Sequence, residues 1–492
     1  MSIPLESPIA TETSLKKRVT NSAIWISLEM AGVQGTSFVV FAAMAHFIVP
    51  RDFGLISICF LALQTLQMLV LYNVATVAVR KQRAVDLDYT TTFWITIGLS
   101  AVCFLILLGF SAFAEKLFHA PGLRPVLRAM SVIILFMGLS RTHETWMMRH
   151  FRFKSMAIRG LIGAIAGGAF GLFLAVKGFG VGALVGQQVA TAILSVALIW
   201  IVCPWRPTFS FSKETADEIF RFMYRIMPNS IVYAINQNCD TFLVALFFGP
   251  VSAGYYNVGK RVRLALQLVA GGPIKGVALP SLAEIQSDPE RLRRGALNSL
   301  QFLCVICSPA FFGASAVAND AVITIFGRNW VDAGPIMQTL TVGGLALVLL
   351  NYNENVFLLK NKPSWCLIAS LAYSLLTTLF VICFVALKIH MLALPFVLPY
   401  LIVFPLSALL VSNCLGISFK QWSLALLPGI SSACFMFIVV QISAHYLSGY
   451  GNLPRLLLLC AIGGVSYILA LAIVWRHSTK MIIEILLHAR GK

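Results

Sequence analysis

Charge is what this chain has least of. Only 11% of its 492 residues are Asp, Glu, Lys or Arg, and the acids are scarcest, 19 against 37 bases. Hydrophobic residues make up 59% of the chain, and its mean hydropathy is +0.85. That balance excludes a soluble globular domain, in which about 25% of residues are charged. Recognisable chemistry is also missing. The sequence has no phosphate-cradling P-loop, no His or Cys set at metal-ligand spacing and no serine elbow. The eleven Cys are scattered singly through apolar segments, apart from Cys304 and Cys307; they read as small apolar residues, neither disulfides nor metal ligands. No basic run interleaves with aromatics, so the net charge of +18 does not point to nucleic acid. The longest connection on the non-cytoplasmic side has roughly a dozen residues, too few for the external catalytic loop expected of a membrane polymerase or ligase.

Long apolar runs are plentiful. They predict about fourteen membrane-spanning helices, each near the ~20 residues a bilayer requires. The expected fold class is an all-α polytopic membrane protein. The spans fall at 21–48, 53–79, 91–114, 126–148, 156–176, 179–202, 221–249, 254–283, 296–317, 333–358, 364–387, 391–414, 422–447 and 454–475. The N-terminal stretch is too polar for a cleavable signal, so the first span would itself direct insertion. Most Lys and Arg outside the spans gather on one side, in Lys16-Lys17-Arg18, Arg80-Lys81-Arg83, Arg149 to Lys154, Arg291-Arg293-Arg294 and Lys360/Lys362. The positive-inside rule makes that side cytoplasmic, and an even number of spans leaves both termini there. The domains expected are a cytoplasmic tail (1–20), a six-helix bundle (21–202), a cytoplasmic linker (203–220), a second six-helix bundle (221–414), two further spans (415–475) and a cytoplasmic tail (476–492) that reads as a short amphipathic helix.

The two bundles read as a duplication. Two hundred positions along, Ala45, Phe47, Pro50, Gly54, Leu66, Gln67, Val77 and Ala78 recur as Ala245, Phe247, Pro250, Gly254, Leu266, Gln267, Val277 and Ala278. The Pro-x-x-x-Gly hairpin thus occurs in both copies, and an offset of 210 brings Glu144 onto Glu354. Parallel repeats of this kind are common in transporters whose halves rock around a central site.

Asp240, Lys260, Arg261 and Arg263 stand inside apolar surroundings in the second copy, with Lys275 further along. Asp240 precedes Pro250 by ten positions and Lys260 follows it by ten. At roughly 1.5 Å per helical residue both side chains lie about 15 Å from the turn, near the middle of a hydrocarbon layer about 30 Å thick. A lipid-facing Lys or Arg there costs roughly 2.5 to 3.5 kcal/mol. The cations should therefore line an internal, wet cavity, where Lys260, Arg261, Arg263 and Lys275 suit the diphosphate headgroup of a lipid-linked substrate. The bland alternative is snorkelling to the outer interface. The first copy has Phe60, Leu61 and Leu63 at the matching places, so the hairpin itself does not require charge.

The other polar residues each have two readings. Asp240 serves as a counter-ion to the cations, or it carries H+ or Na+ to drive transport. Glu29, Glu144 and Glu354 have the same pair of readings, with local ion pairing favoured for Glu144 and Glu354. No other cofactor is expected. Gly271-Gly272-Pro273 interrupts its helix, as a hinge or as a packing kink. Asn229, Asn236, Gln237 and Asn238 either bind sugar hydroxyls or knit helices together. Tyr255, Tyr256, Trp330 and Trp365 read as an interfacial aromatic belt.

Several short motifs keep a familiar order along the chain: Ile48-Val49-Pro50-Arg51-Asp52-Phe53-Gly54-Leu55, Arg149 to Lys154, the Asp240–Arg261 hairpin, Ala278-Leu279-Pro280 with Asp288-Pro289-Glu290-Arg291, and Phe326 to Ala333. In these the chain resembles the Wzx-type polysaccharide transporters of the multidrug/oligosaccharidyl-lipid/polysaccharide exporter superfamily. Gly259 stands where that pattern has Ala. The resemblance implies two six-helix bundles plus two spans. It implies alternating access and export of undecaprenyl-diphosphate-linked oligosaccharide across a bacterial inner membrane, for exopolysaccharide or lipopolysaccharide biosynthesis. Partners would be the lipid-linked oligosaccharide, membrane lipids, and the polysaccharide polymerase and export machinery. An ion-coupled small-molecule exporter of the same superfamily is the alternative, and it should carry more carboxylates than cations in its cavity.

Overall fold

The computed structural model describes residues 12–81, 85–271, 281–387 and 391–475. Those residues are helical nearly throughout, and thirteen of the described helices are long and apolar enough to cross a membrane. In order the helical elements are α1 (Glu12–Ala45), α2 (Pro50–Leu66), a π-helical turn (Gln67–Leu71), α3 (Tyr72–Arg80), α4 (Asp86–Leu117), α5 (Leu123–Arg149), α6 (Phe153–Val176) and α7 (Val181–Val202). There follow α8 (Lys213–Leu266), a second π-helical turn (Gln267–Gly271), α9 (Pro289–Ala316), α10 (Ala318–Phe326), α11 (Ala333–Leu359), α12 (Pro363–Ala386), α13 (Leu394–Leu415), α14 (Phe419–Tyr446) and α15 (Asn452–Val474).

The stretch α8 is two helical arms joined at Gly249 and contains two of the expected spans. Gly249 breaks it with φ 77° and ψ −179°, a conformation that a side chain would resist; Pro250 begins the second arm. Counted as two arms, α8 brings the thirteen spans to the fourteen expected. Helix α1 begins at Glu12, inside the segment expected to be a tail. The tail 476–492 lies outside the described residues.

The chain divides into two compact units, residues 1–238 and 239–492. The division falls within α8, and the polar segment 203–220 belongs to unit 1. In unit 1, α4 packs on α5, and α6 packs on α7 and on α1. The α6–α7 contact rests on small residues one turn apart. A Cβ on Gly163 would sit 2.9 Å from Ser195 Oγ, one on Gly167 3.0 Å from the Cα of Thr191, and one on Gly171 2.5 Å from Gln187 Cβ. Lipid tails are as apolar as Leu, so such backbone approach, not hydrophobicity, holds the pair together. In unit 2, α9 packs against α14 and α11, and α11 against α13. Trp422, Tyr352, Phe357 and Phe311 lie in one core there, which binds α14 into that unit, and α15 packs on α14.

Both π-turns begin at a repeat glutamine, Gln67 and Gln267. The duplication is therefore visible in the backbone as well as the side chains. The second turn ends at buried Gly271, at the point where the sequence places a hinge; Gly272 and Pro273 lie outside the described residues.

Replacing Gly167 by Ala should separate α6 from α7 and cost about 1–3 kcal/mol. In contrast, Gly98, on exposed α4 surface with nothing within 4 Å, should tolerate Ala without loss. Unfolding temperatures of the purified variants in detergent measure the difference. Equal temperatures would reject the close-approach account.

Candidate functional site

The site is built on the two arms of α8 within unit 2. Their antiparallel course brings equal depths together, as the spacing around Pro250 requires. Lys260 Nζ lies 2.7 Å from Asp240 Oδ1 and donates a hydrogen bond to Thr241 Oγ1 at 2.9 Å. Arg263 Nη2 lies 3.8 Å from Asp240 Oδ2. The Tyr256 hydroxyl donates to that same oxygen at 2.9 Å, and the backbone N–H of Thr241 donates to Oδ1 at 2.7 Å. With the Thr241 hydroxyl donating to Oδ1 at 3.2 Å, Asp240 has both oxygens engaged, with three donors on one and a hydroxyl and a guanidinium on the other.

The cluster is enclosed to different degrees. Side-chain exposure is 18% for Lys260, 8% for Asp240 and 6% for Arg263. Arg263 reaches the pair Tyr373–Tyr400, whose rings stack with centroids 4.1 Å apart, and the Tyr400 hydroxyl lies in hydrogen-bonding reach of Arg263 and Tyr373. A Cβ on Gly344 would sit 2.9 Å from Arg263 Cγ, so the guanidinium stem runs against the backbone of α11. Gly259 has the same relation to α11, 3.1 Å from the Cα of Met337. At that point an Ala methyl would crowd the helix. One carboxylate among Lys260, Arg261 and Arg263 leaves a surplus of positive charge.

The structure thus joins Asp240, Lys260 and Arg263 and sets Arg261 apart. Arg261 is half-buried and donates from Nε to Asn257 Oδ1 at 2.9 Å, one turn back on its own helix. Lys275 lies outside the described residues. Glu144, in unit 1, accepts from Arg141 at 3.0 Å and Arg159 at 2.9 Å, a compact triad with two cations to one anion. Glu29 is half-buried where α1 meets α6: a Cβ on Gly160 would lie 3.2 Å from its Oε1. Glu354 is half-buried near the end of α11. Glu29 and Glu144 thus neighbour each other around Arg159 in unit 1, whereas Asp240 and Glu354 belong to unit 2.

Sequence reasoning overlooked Tyr256, Tyr373 and Tyr400. Tyr256 precedes Lys260 by one helical turn, so its place on the same face was available; it was assigned instead to an interfacial belt, and so was Trp330. That assignment is corrected here. Tyr256 and Trp330 are buried, Tyr256 because its hydroxyl has the Asp240 carboxylate as partner. Tyr373 and Tyr400 come from α12 and α13, and no local spacing connects them with Arg263. Among the described residues no group of His, Cys, Asp or Glu could hold a metal ion.

The profile of the polysaccharide biosynthesis protein family matches residues 43–335, more than half of the chain. The chain belongs to the polysaccharide biosynthesis protein family. Among relatives of the family, it is 26% identical to the succinoglycan biosynthesis transport protein ExoT of Rhizobium meliloti (strain 1021) over 335 residues, 68% of this chain and 67% of that one. It is 24% identical to the lipopolysaccharide biosynthesis protein WzxC of Escherichia coli (strain K12) over 336 residues, 68% of each. Its fold is similar to that of the lipid II flippase MurJ in an inward closed conformation, with a TM-score of 0.73 and 14% identity over 93% of this chain and 99% of that one. The family match covers the first bundle from the end of α1 onward and the whole Asp240–Arg263 hairpin.

Lys260→Met should leave a buried carboxylate without its nearest counter-charge and cost about 3 kcal/mol. Asp240→Asn in the same chain should restore part of that loss. A double-mutant cycle on the unfolding temperature in detergent reads the coupling, and strictly additive effects would exclude a functioning pair.

Proposed function

We propose that this protein carries undecaprenyl-diphosphate-linked oligosaccharide from the cytoplasmic to the outer face of a bacterial inner membrane by alternating access, supplying exopolysaccharide or lipopolysaccharide assembly. Both termini are then cytoplasmic, and the protein acts as a transporter and not as an enzyme. The observation that carries this reading is the surplus of positive charge embedded in apolar helices at Lys260, Arg261 and Arg263. A sheltered cation earns its desolvation cost only by meeting an anion, and a diphosphate presents several charged oxygens to it.

The relatives support the substrate class: one is named for succinoglycan transport, another for lipopolysaccharide biosynthesis, and the fold neighbour is a lipid II flippase. In this reading Asp240 is the resting counter-ion of Lys260 and Arg263. The arriving diphosphate competes with it for Lys260, the more accessible of the two, and Arg261 adds a second donor. The competition makes substrate binding and rearrangement of the hairpin one event, because a displaced Asp240 cannot remain unpaired at low dielectric. Cations outnumber carboxylates here, which disfavours a small-molecule exporter driven through acidic residues.

Gln at positions 260, 261 and 263 combined with Asp240→Asn removes the charges without stranding a carboxylate. In a strain depending on this gene, that variant should reach the membrane at normal abundance yet lose at least about tenfold in surface polymer, with lipid-linked oligosaccharide accumulating on the cytoplasmic leaflet; a tenfold effect corresponds to about 1.4 kcal/mol. Export at the native level by that variant would refute the headgroup role.

A further inference from the structure

Unit 1 holds a second, separate group of cations on the face that the basic loops assign to the cytoplasm. The first turns of α8 carry Glu218, Arg221, Phe222 and Arg225, spaced three, one and three apart, which is a single stripe of an α-helix. These side chains, with Val77 and Lys81, line a cavity of about 350 Å3. The adjoining stripe is apolar: Ala216 and Ile219 are buried against Val74, Val77 and Ile95, so the helix is anchored and the charged stripe has a defined direction.

The charges around the cavity are unequally matched. Lys81 Nζ lies 2.6 Å from Asp88 Oδ1 and 3.8 Å from Glu218 Oε2. Asp88 also accepts from Thr215 Oγ1 at 2.7 Å and from the backbone N–H of Val85 at 3.0 Å, and Arg149 donates to the Lys81 carbonyl. Lys81 is thus held in place and largely neutralised. Arg221 and Arg225 are exposed and form no ion pair among the described residues. Like charges one turn apart on a helix repel; an anion between them replaces that repulsion with charge-assisted, bidentate hydrogen bonds.

The surroundings say what the anion is attached to. Phe209 is 98% exposed and Tyr224 82%, and Phe211 and Phe220 are more than half exposed. Exposed aromatics at the start of an apolar helix belong at the boundary of headgroups and acyl chains.

We infer that Arg221 and Arg225, with Lys81 fixed beside them, form a docking site for the phosphate-bearing headgroup of a lipid in the adjacent leaflet. The site is outside the Asp240 network and in the other unit. It deepens the transport reading by supplying a place where a phosphorylated lipid is captured before translocation. That reading decides only the choice of diphosphate as a probe, since binding here is an equilibrium property that needs no export.

The test uses the full-length protein in nanodiscs of zwitterionic lipid, titrated separately with undecaprenyl diphosphate and with phosphatidylglycerol and read by native mass spectrometry. R221Q/R225Q, which alters two exposed side chains, should bind the preferred lipid about tenfold more weakly than the unaltered protein. E218Q removes the cavity's own carboxylate and should bind it several-fold more tightly, a gain that damage to the fold would not produce. Preference for the diphosphate identifies the carrier lipid as the occupant; equal binding of both lipids identifies ordinary anionic phospholipid at the same site. Unchanged affinity of R221Q/R225Q and E218Q for both lipids would overturn the inference, even where the charge-depleted Asp240 hairpin abolishes export. The reverse pattern would leave this site standing and remove the role of the hairpin.

Discussion

The ion pair between Asp240 and Lys260 is the interaction from which the rest of the site follows. Charge in the hydrocarbon layer is tolerated only when it meets opposite charge and every lone pair has a donor. Gly249 and Pro250 turn the chain so that the two arms of α8 run side by side, and equal distances from the turn place carboxylate and ammonium opposite each other, 2.7 Å apart. Tyr256, Thr241 and Arg263 complete the coordination of the carboxylate. With that core neutralised, the cluster keeps a surplus of positive charge.

The duplication makes the chemistry of this pair easier to read. The two copies share the Pro-x-x-x-Gly turn and the glutamine that opens a π-turn. They differ at Phe60/Lys260, Leu61/Arg261 and Leu63/Arg263; Leu63 and Arg263 are both buried, the latter beside Asp240 and two tyrosines. The same backbone thus accepts either an apolar or a charged filling. Since the fold works with Leu in one copy, the charge in the other reflects a task beyond folding. π-turns recur at functional places in helices because the extra residue loosens the i to i−4 ladder, and their presence in both copies, at residues that match, gives each unit the same point of weakness.

Much of this was legible in the chain itself. Apolar runs located the helices, and the break at Gly249-Pro250 was visible as a turn. The equal spacing of Asp240 and Lys260 about Pro250 carried their partnership, because helix rise converts sequence distance into depth. Glu144 was open to prediction through Arg141, three residues before it, whereas Arg159 on the next helix was not. The aromatic residues were the poorest guide. Tyr256 and Trp330 carry the composition of an interfacial belt and yet lie inside, since a buried phenol or indole is stabilised by whichever partners the fold supplies.

Composition and spacing by themselves determined that this is an all-helical, duplicated membrane protein and that Asp240 and Lys260 stand at equal helical distances from Pro250: both follow from the bilayer's thickness and the rise of a helix, which are independent of tertiary context. Only the folded structure decided which cations share a carboxylate. It gathered Tyr373 and Tyr400 around Arg263, turned Arg261 toward Asn257, and placed Arg221 and Arg225 on an open stripe near Lys81. Those assignments depend on the rotation of each helix about its axis and on contacts between segments far apart in the chain, and no local pattern of residues encodes them.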